Sequence, residues 1–144
     1  MLVVVVLVAG LVALFWQKGV GQARPVASRT LEVTVLVSNL RPPSVEAMKT
    51  GQVVYDAQGV QALGTVVKKS VQPTPQQVAL PDGRLVVAPS PLYSDVTLVI
   101  RGPGTVSPQR MLLAGQEVRI GSSLSMETRD WASTGYVVAV RVVR

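Results

Sequence analysis

This chain has neither histidine nor cysteine among its 144 residues, so a nucleophile and its base would have to come from residues such as serine and lysine. Histidine and cysteine supply the commonest general base and the thiolate nucleophile. A hydrolase would need a Ser–Lys dyad, in which the lysine takes the serine proton. Beyond residue 29 the lysines are Lys49, Lys68 and Lys69. Because Lys68 and Lys69 are neighbours in a strand-like segment, one of them points inward. A Ser/Lys peptidase is therefore one hypothesis, the weakest of three.

The acidic residues do not have the spacing of a metal site. Asp56, Asp82 and Asp130 lie in predicted turns, where aspartate hydrogen-bonds its own backbone. Glu117 and Glu127 alternate with apolar neighbours, so they read as outward strand positions. The sequence contains no EF-hand loop pattern. We therefore expect no metal, no cofactor and no enzymatic activity.

The candidate recognition loop is Arg129, Asp130 and Trp131, where an aromatic side chain follows two charges of opposite sign. In an exposed loop such a group can bind a partner. The alternative is that Trp131 fills the bottom of the core, since large aromatic side chains dominate small cores. Both interpretations stay open at this stage.

The charge of the chain indicates which partners to expect. The net charge is +6, and the fourteen basic residues are scattered, with Lys68 and Lys69 the one adjacent pair. A nucleic-acid-binding protein concentrates basic residues on one face and interleaves aromatic side chains. This composition instead fits a surface near anionic lipid headgroups. We expect membrane lipid and a second copy or an envelope protein as partners, and no nucleic acid.

The run from Leu2 to Trp16 carries no charge and no proline. It has no polar face, so it must be buried in protein or in lipid, where a helix satisfies its own backbone hydrogen bonds. At about 1.5 Å per residue the run spans roughly 22 Å, short of the ~30 Å hydrocarbon core. We interpret residues 1–18 as a transmembrane anchor that begins upstream of Met1, with Trp16 and Lys18 at the membrane interface.

Two other interpretations of the apolar run stay open. A signal peptide could be cleaved after residues 21–23, although no basic residue precedes the run. A buried core helix is the second, although consecutive valines are poor helix formers in water. Lys18, Arg24 and Arg29 follow the run, so the positive-inside rule alone would place the domain in the cytoplasm, unless basic residues precede Met1.

We expect a linker over residues 19–29. The length and composition of residues 30–144 then predict a single β domain. Thr30 to Ser38 alternates apolar and polar side chains, as a strand with one buried face does. Further short β-branched segments follow, separated by turn residues. We expect an all-β fold, a small β-barrel or sandwich, with one N-terminal transmembrane helix.

Three local signals divide the domain. Ser44 to Lys49 predicts a helical turn before Gly51. Asp82-Gly83 is a type I′ hairpin signal. The proline-containing segments 73–75 and 89–91 are expected to interrupt strands.

Four glycines suggest an internal repeat. Gly51 opens one strand and Gly64 a second, valine-rich strand, and the pattern returns at Gly115 and Gly135. Glycine suits tight turns and close backbone approach at a barrel corner. If the repeat is real, two related hairpins pack about a pseudo-two-fold axis.

The segments TLEVTVLVSNLRPPSVEAMKTGQVVYD, LGTVV and VRIGSSLSMETRDWASTGYVVAV, with the apolar run before them, resemble a family of short bacterial single-pass membrane proteins. That family is a domain of unknown function. In it a charged stretch precedes the apolar segment, which implies that this chain starts late. If the upstream residues are basic, the resemblance implies a domain on the extracytoplasmic side of the cell membrane.

A second resemblance is to the mammalian cell entry (MCE) lipid-transport domain, which also follows one anchor helix. Its glycine-valine signature is matched by Gly51, Val54, Gly59, Val60, Leu63, Gly64 and Val66. The spacing here is about two residues longer, and Leu63 stands where the MCE pattern has valine. The sequence therefore favours a non-catalytic, membrane-anchored binding or scaffolding domain, with an oligomeric MCE-like lipid conduit as the alternative.

Overall fold

The computed structural model describes residues 27–143. The predicted anchor, with Trp16 and Lys18, lies outside the described residues. The elements in chain order are β1 Ala27–Leu40, α1 Pro42–Ala47, β2 Val53–Tyr55, β3 Ala62–Ala79, β4 Leu85–Val106, β5 Met111–Leu113, β6 Gln116–Glu117, β7 Ser123–Glu127 and β8 Ala132–Val143. Within this described part, the helix is too short and too polar to cross a membrane.

The strands form one antiparallel sheet that closes on itself. Its order is β1-β8-β7-β2-β3-β4-β5-β6, and β4 pairs with β1 as well. The pairings β1-β8-β7-β2-β3-β4-β1 therefore make a ring, to which β5 and β6 are added at β4. The predicted all-β fold is confirmed, and the closed pairing is that of a small barrel.

The interior of the barrel is filled by apolar side chains. Along β1 the buried residues alternate with more exposed ones, so Leu31, Val33, Val35 and Val37 all point inward. This is the period-two pattern that the sequence shows. Side chains from the other strands complete the same core: Val54, Leu63, Val66, Val96, Leu98, Ile100, Leu124, Met126 and Val137.

Both ends of the barrel are covered by segments that follow the first strand of each half. At one end, Met48 after α1 is buried in the core. At the other, the β5–β6 hairpin and the residue after it bury Leu113 and Val118. The lumen is therefore a packed core and leaves no passage through a single domain.

The ring has a pseudo-two-fold axis that relates β1 to β4, β2 to β7 and β3 to β8. Val35 pairs with Val137 of β8, and at the equivalent place Ile100 pairs with Val66 of β3. In both pairs of strands the register then skips one residue, so the sheet bulges at corresponding valines of β3 and β8. The internal repeat suggested by the sequence therefore exists in the backbone.

The structure corrects the partner of Gly51 in that repeat. Gly51 N–H donates to Val66 O at 2.7 Å, and Gly121 N–H donates to Val137 O at 2.8 Å. Gly51 and Gly121 both have positive φ, 88° and 91°. Gly121, and not Gly115, is therefore the counterpart of Gly51. Gly115 belongs to the β5–β6 turn.

Gly64 and Gly135 occupy equivalent places where two backbones meet. A Cβ at Gly64 would collide with the carbonyl oxygen of Arg101. A Cβ at Gly135 would collide with Cγ1 of Val35 and lie 2.9 Å from the carbonyl oxygen of Leu36. Arg101 and Leu36 are themselves related by the pseudo-two-fold axis. These contacts are the close approach at a barrel corner that the sequence pattern predicts.

Several predicted boundaries were wrong. β1 begins at Ala27, inside the predicted linker. Residues 73–75 and 89–91 continue β3 and β4 as strands, although the β3–β4 ladder is interrupted there, between Pro73 and Pro75. The two strands are joined by residues 80–84, in which Gly83 has positive φ but Asp82 does not, so the turn is not type I′. A two-residue turn with two positive φ values occurs instead at Ala114 and Gly115.

Replacing Gly64 or Gly135 by valine should lower the free energy of unfolding by more than about 1 kcal/mol, although valine is the better strand former. The added side chain meets backbone that cannot move without opening the sheet. Urea unfolding of each single variant measures the change. Ser70→Val, at an exposed position of β3, is the matched control and should be neutral or stabilising. Unchanged midpoints for both glycine variants would contradict the close-approach argument.

Candidate functional site

The most unusual surface of the described residues is the far part of the β3–β4 hairpin, which extends beyond the barrel. We call Pro75–Ala79 and Leu85–Pro89 the distal ribbon. Its pairs run from Pro75 opposite Pro89 to Ala79 opposite Leu85, with Gln77 opposite Val87 in the middle. Within residues 27–143, neither strand of the ribbon has another neighbour in the sheet.

The ribbon begins at an irregularity that its prolines create. Pro73 pairs with Ser94, but Pro75 pairs with Pro89, so four residues of β4 oppose Thr74 alone. Proline has no N–H to give to a regular ladder, and bulges accommodate it. The ribbon therefore leaves the barrel through a bulge.

Asp95 fixes the position of this bulge. Its Oδ1 accepts a hydrogen bond from Thr74 Oγ1 at 2.6 Å and from the Asn39 N–H at 3.2 Å. Three strands are thus tied together at the base of the ribbon. On the β4 side, Ser90 Oγ accepts from the N–H groups of Leu92 and Tyr93.

Apolar side chains of the ribbon are exposed on both of its faces. Leu85 and Val87 on one face are 66% and 70% exposed, and Val78 and Val86 on the other are 36% and 37% exposed. Two-stranded ribbons are marginally stable in water and gain stability when a face is covered. The uncovered apolar ribbon is therefore a candidate interaction surface.

The ribbon itself is almost free of charge in a chain of net charge +6. Between residues 70 and 94 the charged residues are Asp82 and Arg84. These two form an ion pair at the tip, with Arg84 Nε 2.6 Å from Asp82 Oδ2. The tip therefore presents little net charge to a partner.

The ribbon points away from the beginning of β1. Ala27 pairs with Val106 at one end of the β1–β4 pair, and Leu40 pairs with Ser94 at the other end. The ribbon continues beyond Ser94. At about 3.3 Å per residue, the intervening length of β1 separates the ribbon from Ala27 by roughly 40 Å.

The predicted recognition loop joins β7 to β8 and is only partly accessible. Arg129 and Asp130 are exposed and lie 3.5 Å apart as an ion pair. Trp131 is 8% exposed and belongs to the core. The packing interpretation therefore describes Trp131, and Arg129 and Asp130 alone remain available to a partner.

Trp131 is held by Gln52, which links three segments. The Trp131 indole N–H donates to Gln52 Oε1 at 2.9 Å, and the Lys49 N–H donates to the same oxygen at 3.0 Å. Gln52 Nε2 in turn donates to Ala47 O at 3.0 Å. The side chain thus fastens the end of α1 to the β7–β8 loop.

Lys69 is the inward lysine that the Ser/Lys hypothesis requires, but its ammonium group is hydrogen-bonded to the backbone. Its Nζ donates to the carbonyl oxygens of Val45 and Met48, each at 2.5 Å. These carbonyls lie at the carboxyl end of α1, where a cation is favourable. An ammonium that donates to two carbonyls is not placed to remove a serine proton. This contact argues against the peptidase hypothesis. Lys68 is exposed.

A charged triad lies on the outer face of β8, β1 and β4. Arg101 and Arg141 both donate to Glu32 Oε2, at 2.8 and 3.0 Å. The side-chain hydrogen bonds from Arg101 and then Arg141 lower the pKa of Glu32 below its usual 4.5. The triad links three neighbouring strands, β8, β1 and β4. Its two arginines and one glutamate leave a net positive charge on this face.

Two grooves open near the Ala27 end of the barrel, and neither has the character of a reactive site. Residues 28–30, 103–105, 112, 114 and 115 line a groove of about 440 Å³. The other, of about 400 Å³, lies beside Asp56. Asp56 Oδ1 is occupied by the N–H groups of Val60 and Gln61, so this carboxylate closes its own loop. In residues 27–143 no group of three or more acidic residues is placed to hold a metal.

The model of one protein family, described as Domain of unknown function (DUF4330), matches residues 1–141. The chain belongs to this family. The resemblance to a domain of unknown function is thereby confirmed. No curated protein and no solved structure matches the chain. For this DUF4330 chain the geometry of the described residues is thus the main guide to function.

Sequence reasoning missed the distal ribbon of this DUF4330 domain. The prolines at 73, 75, 89 and 91 predict interrupted strands, because proline is rare inside sheets. The available signal was the combination of a hairpin turn near Asp82 and a stretch of some twenty-five residues with almost no charge. In a basic chain that combination indicates an extended apolar hairpin.

Gln52→Ala should lower the free energy of unfolding by about 2 kcal/mol, because it leaves the Trp131 and Lys49 N–H groups without their acceptor. Urea unfolding followed by tryptophan fluorescence measures the loss. Gln58→Ala, at an exposed loop position, should change little. Equal midpoints for the two variants would show that Gln52 does not hold the loop.

The stability of the domain should fall in acid in part through Glu32. A carboxylate whose pKa is lowered in the folded state stabilises the fold above its usual pKa, and that stabilisation is lost as the pH falls through the lowered value. Glu32→Gln should therefore unfold with a weaker dependence on pH between neutrality and about pH 3. Glu46→Gln, on the exposed side of α1, is the charge-matched control. Parallel pH profiles for Glu32→Gln and the parent would contradict the argument.

Proposed function

We propose that this chain is a non-catalytic, membrane-anchored β domain that acts as a binding or scaffolding component of the bacterial cell envelope. The N-terminal apolar segment holds it in the cell membrane as a single-pass protein, and the domain lies on the extracytoplasmic side. The observation that carries the proposal is the distal ribbon, an uncharged apolar surface raised above a packed barrel.

The barrel supports this role because its packed core can hold the distal ribbon in a fixed position. Its interior is filled, its ends are covered, and Glu32, Glu117 and Asp130 form surface ion pairs with arginines. A partner bound at the ribbon would be held at a distance from the membrane. The beginning of β1 and the ribbon lie at opposite ends of the β1–β4 pair.

An MCE-like lipid conduit is the second candidate, and the exposed apolar ribbon is the observation in its favour. A conduit needs an apolar lining. Because the core of each barrel is filled, that lining would have to be formed between copies, by ribbons from several chains in a ring. A ring of chains with a central channel, seen by electron microscopy, would favour the conduit over the scaffold.

The test is the size of the native assembly. The full chain should remain in the membrane fraction after an alkaline wash. After amine-reactive cross-linking in the intact membrane and mild detergent extraction, it should migrate on a native gel above the monomer. Leu85→Asp with Val87→Asp should return it to the monomer, because two carboxylates cannot be buried in an apolar contact. Ile120→Asp, at a side chain 73% exposed elsewhere on the domain, is the matched control and should leave the assembly intact.

A parent chain that migrates as a monomer would contradict the proposed function. So would a ribbon variant that keeps the parent's native size. Circular dichroism of both variants shows whether the β fold is retained, so that loss of assembly is not confused with loss of folding.

A further inference from the structure

We propose that the occupant of the distal ribbon is a second copy of this chain, with two ribbons packed face to face about a two-fold axis. The inference deepens the proposed function and rests on it. The face concerned carries Ala79, Leu85 and Val87, with Gln77 beside them.

The distribution of charge favours a second copy. Two chains of net charge +6 repel each other over most of their surfaces. The segment from residue 70 to residue 94, which contains the ribbon, has no unpaired charge, since Asp82 and Arg84 neutralise each other at the tip. Two copies can therefore meet ribbon to ribbon at little electrostatic cost, whereas barrel-to-barrel contact brings basic surfaces together.

The register of the ribbon favours a symmetric contact. Residues directly opposite in an antiparallel pair share a face. Gln77 and Val87 form the middle of five pairs, and Leu85 and Val87 are the most exposed apolar side chains of the ribbon. A two-fold axis through the middle pair brings Val87 of one copy near Val87 of the other. Such an isologous contact closes at two copies and does not propagate.

The prolines favour packing by faces over pairing by edges. Pro75 and Pro89 lie opposite each other at the base of the ribbon, and neither has an N–H to give to an added strand. Proline at exposed edges discourages edge-to-edge pairing. The faces of the ribbon carry no such block, and stacked sheets pack about 10 Å apart.

The area of the ribbon indicates how strong the contact is. Five residue pairs make a face about 17 Å long and about 10 Å wide. This is well below the ~800 Å² per partner of a stable protein interface. Free in solution the contact would be weak. Chains held in one membrane meet at a high effective concentration, which converts a weak contact into a stable one.

The absence of cysteine in the sequence allows a direct test. The full chain with Val87→Cys is reconstituted in phosphatidylcholine vesicles at low protein density and oxidised, and covalent dimer is measured on a non-reducing gel. We expect several-fold more dimer than with Val60→Cys, whose side chain is 76% exposed at another place. Adding Leu85→Asp to Val87→Cys should return the dimer to the level of the control.

Equal dimer from Val87→Cys and Val60→Cys would overturn the second-copy proposal. A benzophenone attached to the introduced thiol of the Val87→Cys variant in native membranes then separates this failure from failure of the proposed function. An adduct with a different protein overturns the second copy and keeps the binding role of the ribbon. An adduct with lipid overturns the second copy and places the ribbon in the bilayer. An absence of adducts overturns both proposals.

Discussion

Two backbone contacts that leave no room for a side chain determine the shape of this domain. Gly64 lies against the carbonyl of Arg101, and Gly135 lies against the carbonyl of Leu36. At each place one strand crosses its neighbour closely, and the register then shifts by one residue. Bulges increase the twist and bend of a sheet, and that bend allows six strands to close around so small a core.

The closed ring explains how the remaining parts are arranged. Each half contributes three strands, and the segment after its first strand covers one end of the barrel. The two halves use different structures for this purpose, since Met48 follows a helix and Val118 follows a hairpin. The halves also differ in their connection, because the chain passes from β3 to β4 through the ribbon. The two related halves therefore form the barrel. The distal ribbon has no counterpart in the other half, and it is the surface on which the functional proposals rest.

Sequence patterns predicted the features that depend on local geometry. The alternation from Leu31 to Val37 identified the buried face of β1, and the glycines at 64 and 135 marked the close approaches. The equivalence of Gly51 and Gly121 does not follow from the sequence, because Gly51-Gln52 resembles Gly-Gln at residues 115–116 more than Gly-Ser at residues 121–122. That equivalence is set by hydrogen bonds to Val66 of β3 and Val137 of β8, which the letters around the glycines do not show. Trp131 was ambiguous for the same reason, since its partner is 79 residues away.

The ring is closed unequally, and this affects how the domain opens. β1 and β4 share a long ladder, whereas β2 and β7 meet at the single pair Tyr55 and Glu127. Local openings of a protein start where few hydrogen bonds must break. The β2–β7 junction is therefore the seam at which the barrel parts first, and its amides would exchange with solvent sooner than those of β1. The long ladder, which runs from the beginning of β1 to the base of the ribbon, stays intact during such openings. A load applied at the ribbon would thus reach the beginning of β1 through the most persistent part of the fold.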